Sequence, residues 1–148
     1  MCVEKSLLQE IGGFPVGVTS GEDLLTWARI AVKTDWAYSR KATAVFNLGD
    51  ISLAKPRRLH DDYDFVGEEL TKLLVANNNV VGLRQYLSLW YKMRAMTFLQ
   101  GFNKQAAIRL SCLSIKYNPW NIKVYAYLIV ALLPSGLIKK IIERFTRL

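Results

Sequence analysis

Tyr91-Lys92-Met93-Arg94-Ala95-Met96-Thr97-Phe98-Leu99-Gln100-Gly101-Phe102-Asn103-Lys104-Gln105-Ala106-Ala107 lies across the join of two predicted helices, 80–101 and 104–117. Apolar residues recur there at helical rather than alternating spacing. Working outward, the same reading extends over 62–77, over 120–133, and into a last segment after Pro134-Ser135-Gly136. Everything beyond residue 60 therefore reads as helix. Within 62–77, Phe65, Val66, Leu70, Leu73 and Leu74 mark the buried side. The acids of Asp62-Tyr63-Asp64 and Glu68-Glu69 read as a cap and solvated first turns, where unpaired N–H groups favour negative charge.

The front reads differently. Glu4 to Ile11 gives a short helix with apolar Leu7, Leu8 and Ile11, stopped by Gly12-Gly13. Thr19 and Ser20 are N-cap types, and Glu22-Asp23 then sit in a first helical turn. Leu24, Trp27, Ala28 and Ala31 follow at i, i+3, i+4, i+7, which predicts the buried stripe of a helix running to about Lys33. Two β-like runs, Trp36 to Ser39 and Thr43 to Phe46, come next. From Asn47 to His60 the chain reads as a loop containing Gly49-Asp50, Pro56 and the cluster Lys55, Arg57, Arg58. The expected fold class is α+β, with a mixed front over 1–60 and a helical tail over 61–148.

Composition narrows the function classes. One domain fits 148 residues, and 51% hydrophobic residues supply a core. Cys2 and Cys112 lie far apart and His60 is the single histidine, too few ligands of those types for a zinc site. Free thiols in a reducing compartment are the expectation. An acid at residue 4 and no apolar h-region argue against a secretory signal at the N-terminus. Net charge is +8, unevenly placed: residues 1–69 hold 8 Lys/Arg against 11 Asp/Glu, while 70–148 hold 12 Lys/Arg against Glu143 alone. A basic half suits an anionic partner, either a membrane surface or a nucleic acid. Without a nucleic-acid recognition motif, and with apolar residues interleaved among the basic ones, the expected partner is not nucleic acid.

Glu22 and Asp23 are the candidate chemical groups. A carboxylate at a helix N-terminus can accept a proton from an attacking alcohol, which is general-base catalysis. The same pair also serves as caps and dipole partners. Ser6 to Pro15, with its Gly12-Gly13-Phe14 turn, followed by Gly21-Glu22-Asp23-Leu24 and on to Trp27, Arg29 and Ala31, is similar to the family 2 glycosyltransferases of the GT-A fold. The resemblance covers about residues 1–46 and implies the C-terminal portion of such a domain.

That resemblance implies inverting transfer of a sugar from a nucleotide-sugar donor to an acceptor hydroxyl on a glycan or lipid-linked acceptor. Asp23 would be the base and Glu22 its neighbour. Gly12, Gly13, Phe14 and Trp27 would form the acceptor wall, and Arg29 would support the helix that carries the acids. A divalent cation, Mg or Mn, is implied on the donor diphosphate, with His60, Arg57 and Arg58 as candidate contacts. In the family, the nucleotide-binding half with its Asp-x-Asp motif precedes these segments, and Met1-Cys2-Val3 falls where its last strand ends. The chain is accordingly expected to be a truncated form, inactive on its own. Asp62-Tyr63-Asp64 follows the acid pair, lacks a preceding strand, and does not replace that motif.

The alternative is a non-catalytic helical interaction or membrane-association module. At 100° per residue, Leu137, Ile138, Ile141, Ile142, Phe145 and Leu148 fall within an arc of about 140°, with Lys139, Lys140, Glu143, Arg144, Thr146 and Arg147 opposite. Such a helix suits an anionic membrane surface, giving a cytoplasmic, peripheral placement on the inner face. It also suits packing on its own domain. Val124 to Leu133 is apolar but spans ten residues, about half a membrane crossing, and is expected to be buried or interfacial. Tyr91, Ala95, Phe98, Ala107, Ser114 and Pro119 resemble one degenerate tetratricopeptide-type unit, which implies a helical hairpin packed on the front rather than a repeat array.

Overall fold

Helix follows helix along the chain: α1 Lys5–Glu10, α2 Glu22–Ala31, α3 Phe65–Ala76, α4 Leu83–Gln100, α5 Lys104–Tyr117, α6 Ile122–Leu132 and α7 Ser135–Thr146. The computed structural model describes residues 2–37, 41, 45 and 63–146, with the backbone alone over 141–146. The predicted helices of the basic half all form, each within a few residues of its expected bounds.

The expected α+β class is overturned. Among the described residues all regular structure is helical and no strand occurs. A helix of a GT-A domain would lay its apolar stripe on a sheet. Here Leu25 and Ala28 of α2 enter a core made by Val66, Leu70 and Leu74 of α3 and Leu87, Trp90 and Tyr91 of α4. The glycine turn and the acid pair specify only a helix stop and a helix start, and neither demands a sheet. Most of the β-like residues of 36–39 and 43–46, the loop over 47–60, and the expected division near residue 60 lie outside the described residues.

Local chemistry explains the ends of the elements. Gly12 takes a positive φ of 80°, and the Gly13 N–H donates to the Leu8 carbonyl at 2.9 Å, closing α1 as expected. The start of α2 differs from expectation. Its N-cap is Gly21, at φ 85° and without a side-chain cap bond, rather than Thr19 or Ser20. Gly21 is pressed against the Trp90 ring, where any Cβ would collide, so close approach of the backbone selects glycine. Asp64 caps α3 as anticipated, accepting from the Gly67 N–H at 2.9 Å. Asn103 does the same for α5, accepting from the Ala106 N–H at 3.1 Å.

The buried side of α2 is also rotated from the expected stripe. Leu25, Thr26, Ala28 and Ile30 are buried, whereas Leu24 and Trp27 are half-buried and Ala31 is exposed. Thr26 can be buried because its hydroxyl donates to the Glu22 carbonyl at 2.7 Å, removing the cost of an unpaired polar group.

Helices α4 and α5 form the expected hairpin and share the largest interface. Small residues let them approach: Ser88 and Ala95 on α4, and Ala107 and Ser114 on α5, are all buried. Across this seam the Ser88 hydroxyl donates to the Ser114 carbonyl at 2.9 Å, and the Ser114 hydroxyl to the Ser88 carbonyl at 2.8 Å. The chain then reverses into α6, whose C-terminal Leu133 carbonyl accepts from Lys104 Nζ at 2.6 Å. A second core joins Leu99, Ala107, Ala131 and Ile138, tying the start of α7 to α4, α5 and α6.

Candidate functional site

Two of the aromatic residues expected at an acceptor site, Phe14 and Trp27, lie in contact. Phe14 meets Trp27 edge to face with ring centroids 5.6 Å apart, and Trp27 meets Trp36 likewise at 6.2 Å. Both distances lie in the range favoured by the ring quadrupoles. Phe14 and Trp36 remain nearly half exposed. Beside them opens a cavity of about 390 Å³, walled by Trp27, Ala28, Trp36, Val80, Leu83 and Tyr86.

Glu22 and Asp23 occupy the first turn of α2, with Asp23 exposed. Asp23 Oδ1 accepts from the Leu24 N–H at 2.7 Å, so the acid currently serves a helix start. Neither acid walls the aromatic cavity. Asp23 and Trp27 are separated by four residues and are neighbours on the helix surface. The Tyr86 hydroxyl donates to the Leu24 carbonyl at 2.8 Å. Burial, and then the negative charge of Asp23, push its pKa up to about 12. Arg29 of α2 pairs with Glu69 of α3 at 2.8 Å. Lys72 also binds Glu69 at 2.8 Å, and these two cations hold the Glu69 carboxyl below the usual carboxylate range against partial burial.

His60, Arg57 and Arg58 lie outside the described residues. No group of three His, Cys, Asp or Glu side chains is assembled to hold a metal among the described residues. Cys2 and Cys112 are free and exposed.

Sequence reasoning missed Arg94. Its side chain is 6% exposed, with Nε 3.3 Å from Asp64 Oδ2. Its guanidinium lies over the rings of Trp90 and Phe98, at 5.8 and 5.4 Å from their centroids. Trp90 Nε1 also donates to Asp64 Oδ1, at 3.1 Å. One carboxylate thus caps α3 and holds two side chains of α4. The signal was the i, i+4, i+8 series Trp90, Arg94, Phe98, which sandwiches a cation between aromatic residues on one helix face. Two clefts flank the group, of about 360 and 580 Å³, and Tyr63, Asp64 and Arg94 line both.

The basic half presents the third feature. Lys123 of α6 and Lys139 and Lys140 of α7 are exposed. No Asp or Glu occurs between residues 70 and 142. No helix among the described residues is long and apolar enough to cross a membrane.

No protein family, curated protein or solved structure matches the chain. The resemblance to family 2 glycosyltransferases is therefore not upheld, because it lacks both a family match and the strands that a GT-A fragment requires. Glycine turns that end helices and acids that begin them recur for local reasons. Their order over some thirty residues imitated a family signature.

Proposed function

We propose that the chain is a membrane-surface association module that binds anionic lipid through its basic helical half. The observation that carries this reading is the exposure of Lys139 and Lys140 on α7, within a half whose only acid is Glu143. Anionic headgroups attract such a surface at about 1 kcal/mol per cation near the membrane. The cytoplasmic leaflet is the natural site, since anionic lipid supplies its surface potential. Basic charge alone would equally attract nucleic acid; exposed apolar residues among the cations favour lipid.

Co-sedimentation with phosphatidylcholine vesicles, with and without phosphatidylserine, tests the reading. Binding is expected only when phosphatidylserine is present. Lys139→Ala with Lys140→Ala should weaken it by about tenfold or more, from ~1 kcal/mol for each lysine. Equal binding to neutral vesicles, unchanged binding by the double variant, or preference for a DNA duplex over vesicles would each overturn it.

The aromatic surface at the front favours a second reading, transfer of a sugar from a nucleotide-sugar donor to an acceptor hydroxyl. Half-exposed Phe14 and Trp36 offer faces on which a sugar ring can stack, and Asp23 is one helical turn from Trp27. Asp23 would take the hydroxyl proton. Asp23→Asn should abolish transfer while an acceptor glycan still perturbs tryptophan fluorescence. Retained turnover by that variant would refute the role.

A further inference from the structure

Ile138, on the apolar arc of α7, is 1% exposed and belongs to the core with Leu99, Ala107 and Ala131. The start of that arc is therefore used to seat α7 on its own domain. A run of open apolar side chains lies on the preceding helix. Ile122, Tyr125, Ile129 and Leu132 of α6 are 80%, 39%, 61% and 66% exposed, and Trp120 just ahead of them is 88% exposed. Steps of three, four and three residues place the four helical positions on one stripe. Val124 and Ala131, on another side of α6, are buried at 0%.

We infer that the outer stripe of α6, led by Trp120, is the edge that inserts into an anionic bilayer, with α7 serving as its cationic flank. This assignment rests on the membrane-surface reading above. Three observations select lipid as the occupant. The exposed charges on α6 and α7 are cationic, Lys123, Lys139 and Lys140, and α6 itself bears no acid. A second copy of the chain would bring like charges together along the same edge, which opposes pairing. The stripe also begins with Trp and Tyr, whose rings suit the boundary between headgroups and acyl chains.

Geometry fixes the mode of contact. Eleven helical residues span roughly 16 Å, about half the ~30 Å hydrocarbon core, so α6 lies in the interface plane instead of crossing it. Both aromatic residues are set by the turn before the helix. The Trp120 N–H donates to Asn118 Oδ1 at 3.2 Å, and the Tyr125 hydroxyl donates to the Pro119 carbonyl at 3.0 Å. The edge is thus preformed and orders little on binding.

The full chain should be mixed with phosphatidylserine-containing vesicles whose acyl chains carry bromine, which quenches tryptophan at contact. Quenching is expected in the wild-type chain and should fall sharply in Trp120→Phe, the other three tryptophans being elsewhere. The triple variant Ile122→Ser, Ile129→Ser, Leu132→Ser should lose binding by at least about tenfold, because interfacial affinity follows buried apolar area. Its thermal unfolding serves as the folding control. Lys139→Ala with Lys140→Ala should lower the bound fraction while leaving Trp120 quenched in whatever remains bound. Vesicle binding with unquenched Trp120 would overturn the edge and leave the membrane reading standing. No binding by the wild-type chain would overturn both. Reversible dimerisation without lipid, abolished by the triple variant, would assign the stripe to a second copy.

Discussion

The seam between α4 and α5 and the outer stripe of α6 are helical surfaces of one domain with opposite fates. At the seam, small side chains bring two backbones close, Ser88 and Ala95 are fully buried, and paired serines join the carbonyls across the gap. On α6, large aliphatic and aromatic groups at equally regular spacing stay exposed among the described residues, Ile122 at 80% and Leu132 at 66%. Regular apolar spacing thus defines a face without saying whether the protein covers it. What separates the two is what lies opposite: α5 closes over the small residues of α4, whereas no described element covers the outer stripe of α6.

The largest consequence should appear in the sealed core that α4 shares with its neighbours. Leu87→Ala removes a side chain at 0% exposure from the main core, and rigid surroundings leave a cavity. The expected cost is ~2–5 kcal/mol, read as the change in free energy from urea unfolding. A loss below about 1 kcal/mol would mean that this core collapses easily and that the covered faces of α4 are no tighter than the stripe.

Two serines on α5 sharpen the contrast with changes of opposite sign. Ser114 is paired across the seam, whereas the Ser111 hydroxyl is buried with no hydrogen-bond partner among the described residues. Ser114→Ala should destabilise by ~0.5–1.5 kcal/mol, the usual net value of a hydrogen bond. Ser111→Ala should be neutral or stabilising by up to roughly 1 kcal/mol, since it removes an unsatisfied polar group. Equal losses in both variants would show that the serine pairing contributes nothing beyond packing.

The helices of the basic half were legible because each had a long periodic run with a recognisable start, such as Asp64 at α3 or a break at Pro134 before α7. The front was misread where the signals were short. Gly12-Gly13 and Glu22-Asp23 do stop and start helices, but the partner of α2 depends on residues some forty positions away, and no local pattern encodes that α3 and α4 cover it. Gly21 as cap was hidden for the same reason, because the Trp90 ring that requires it lies on α4. Arg94 was overlooked because a charged residue is read as solvated until its aromatic neighbours and Asp64 are seen to enclose it. The open face of α6 could not be separated from a buried one, since Val124 and Ile122 are equally apolar and only the tertiary fold covers one of them.

The smallest stability effect is the most discriminating. Ile129→Ser exchanges an aliphatic group for a hydroxyl on the open stripe, where the side chain is already 61% exposed. Surface substitutions away from caps and cores usually fall within about ±0.5 kcal/mol, and the thermal midpoint should move by little. The same substitution in the seam would create a cavity and strand a polar group, so the difference between the two sites measures how much of α6 the protein leaves uncovered. A loss above about 1.5 kcal/mol from Ile129→Ser would mean that residues beyond those described pack over the stripe, and the contrast between sealed and open helix faces would collapse. Unchanged stability joined to weakened vesicle binding would tie the open face to lipid, since a residue that contributes nothing to folding and something to binding is kept for what it touches outside the chain.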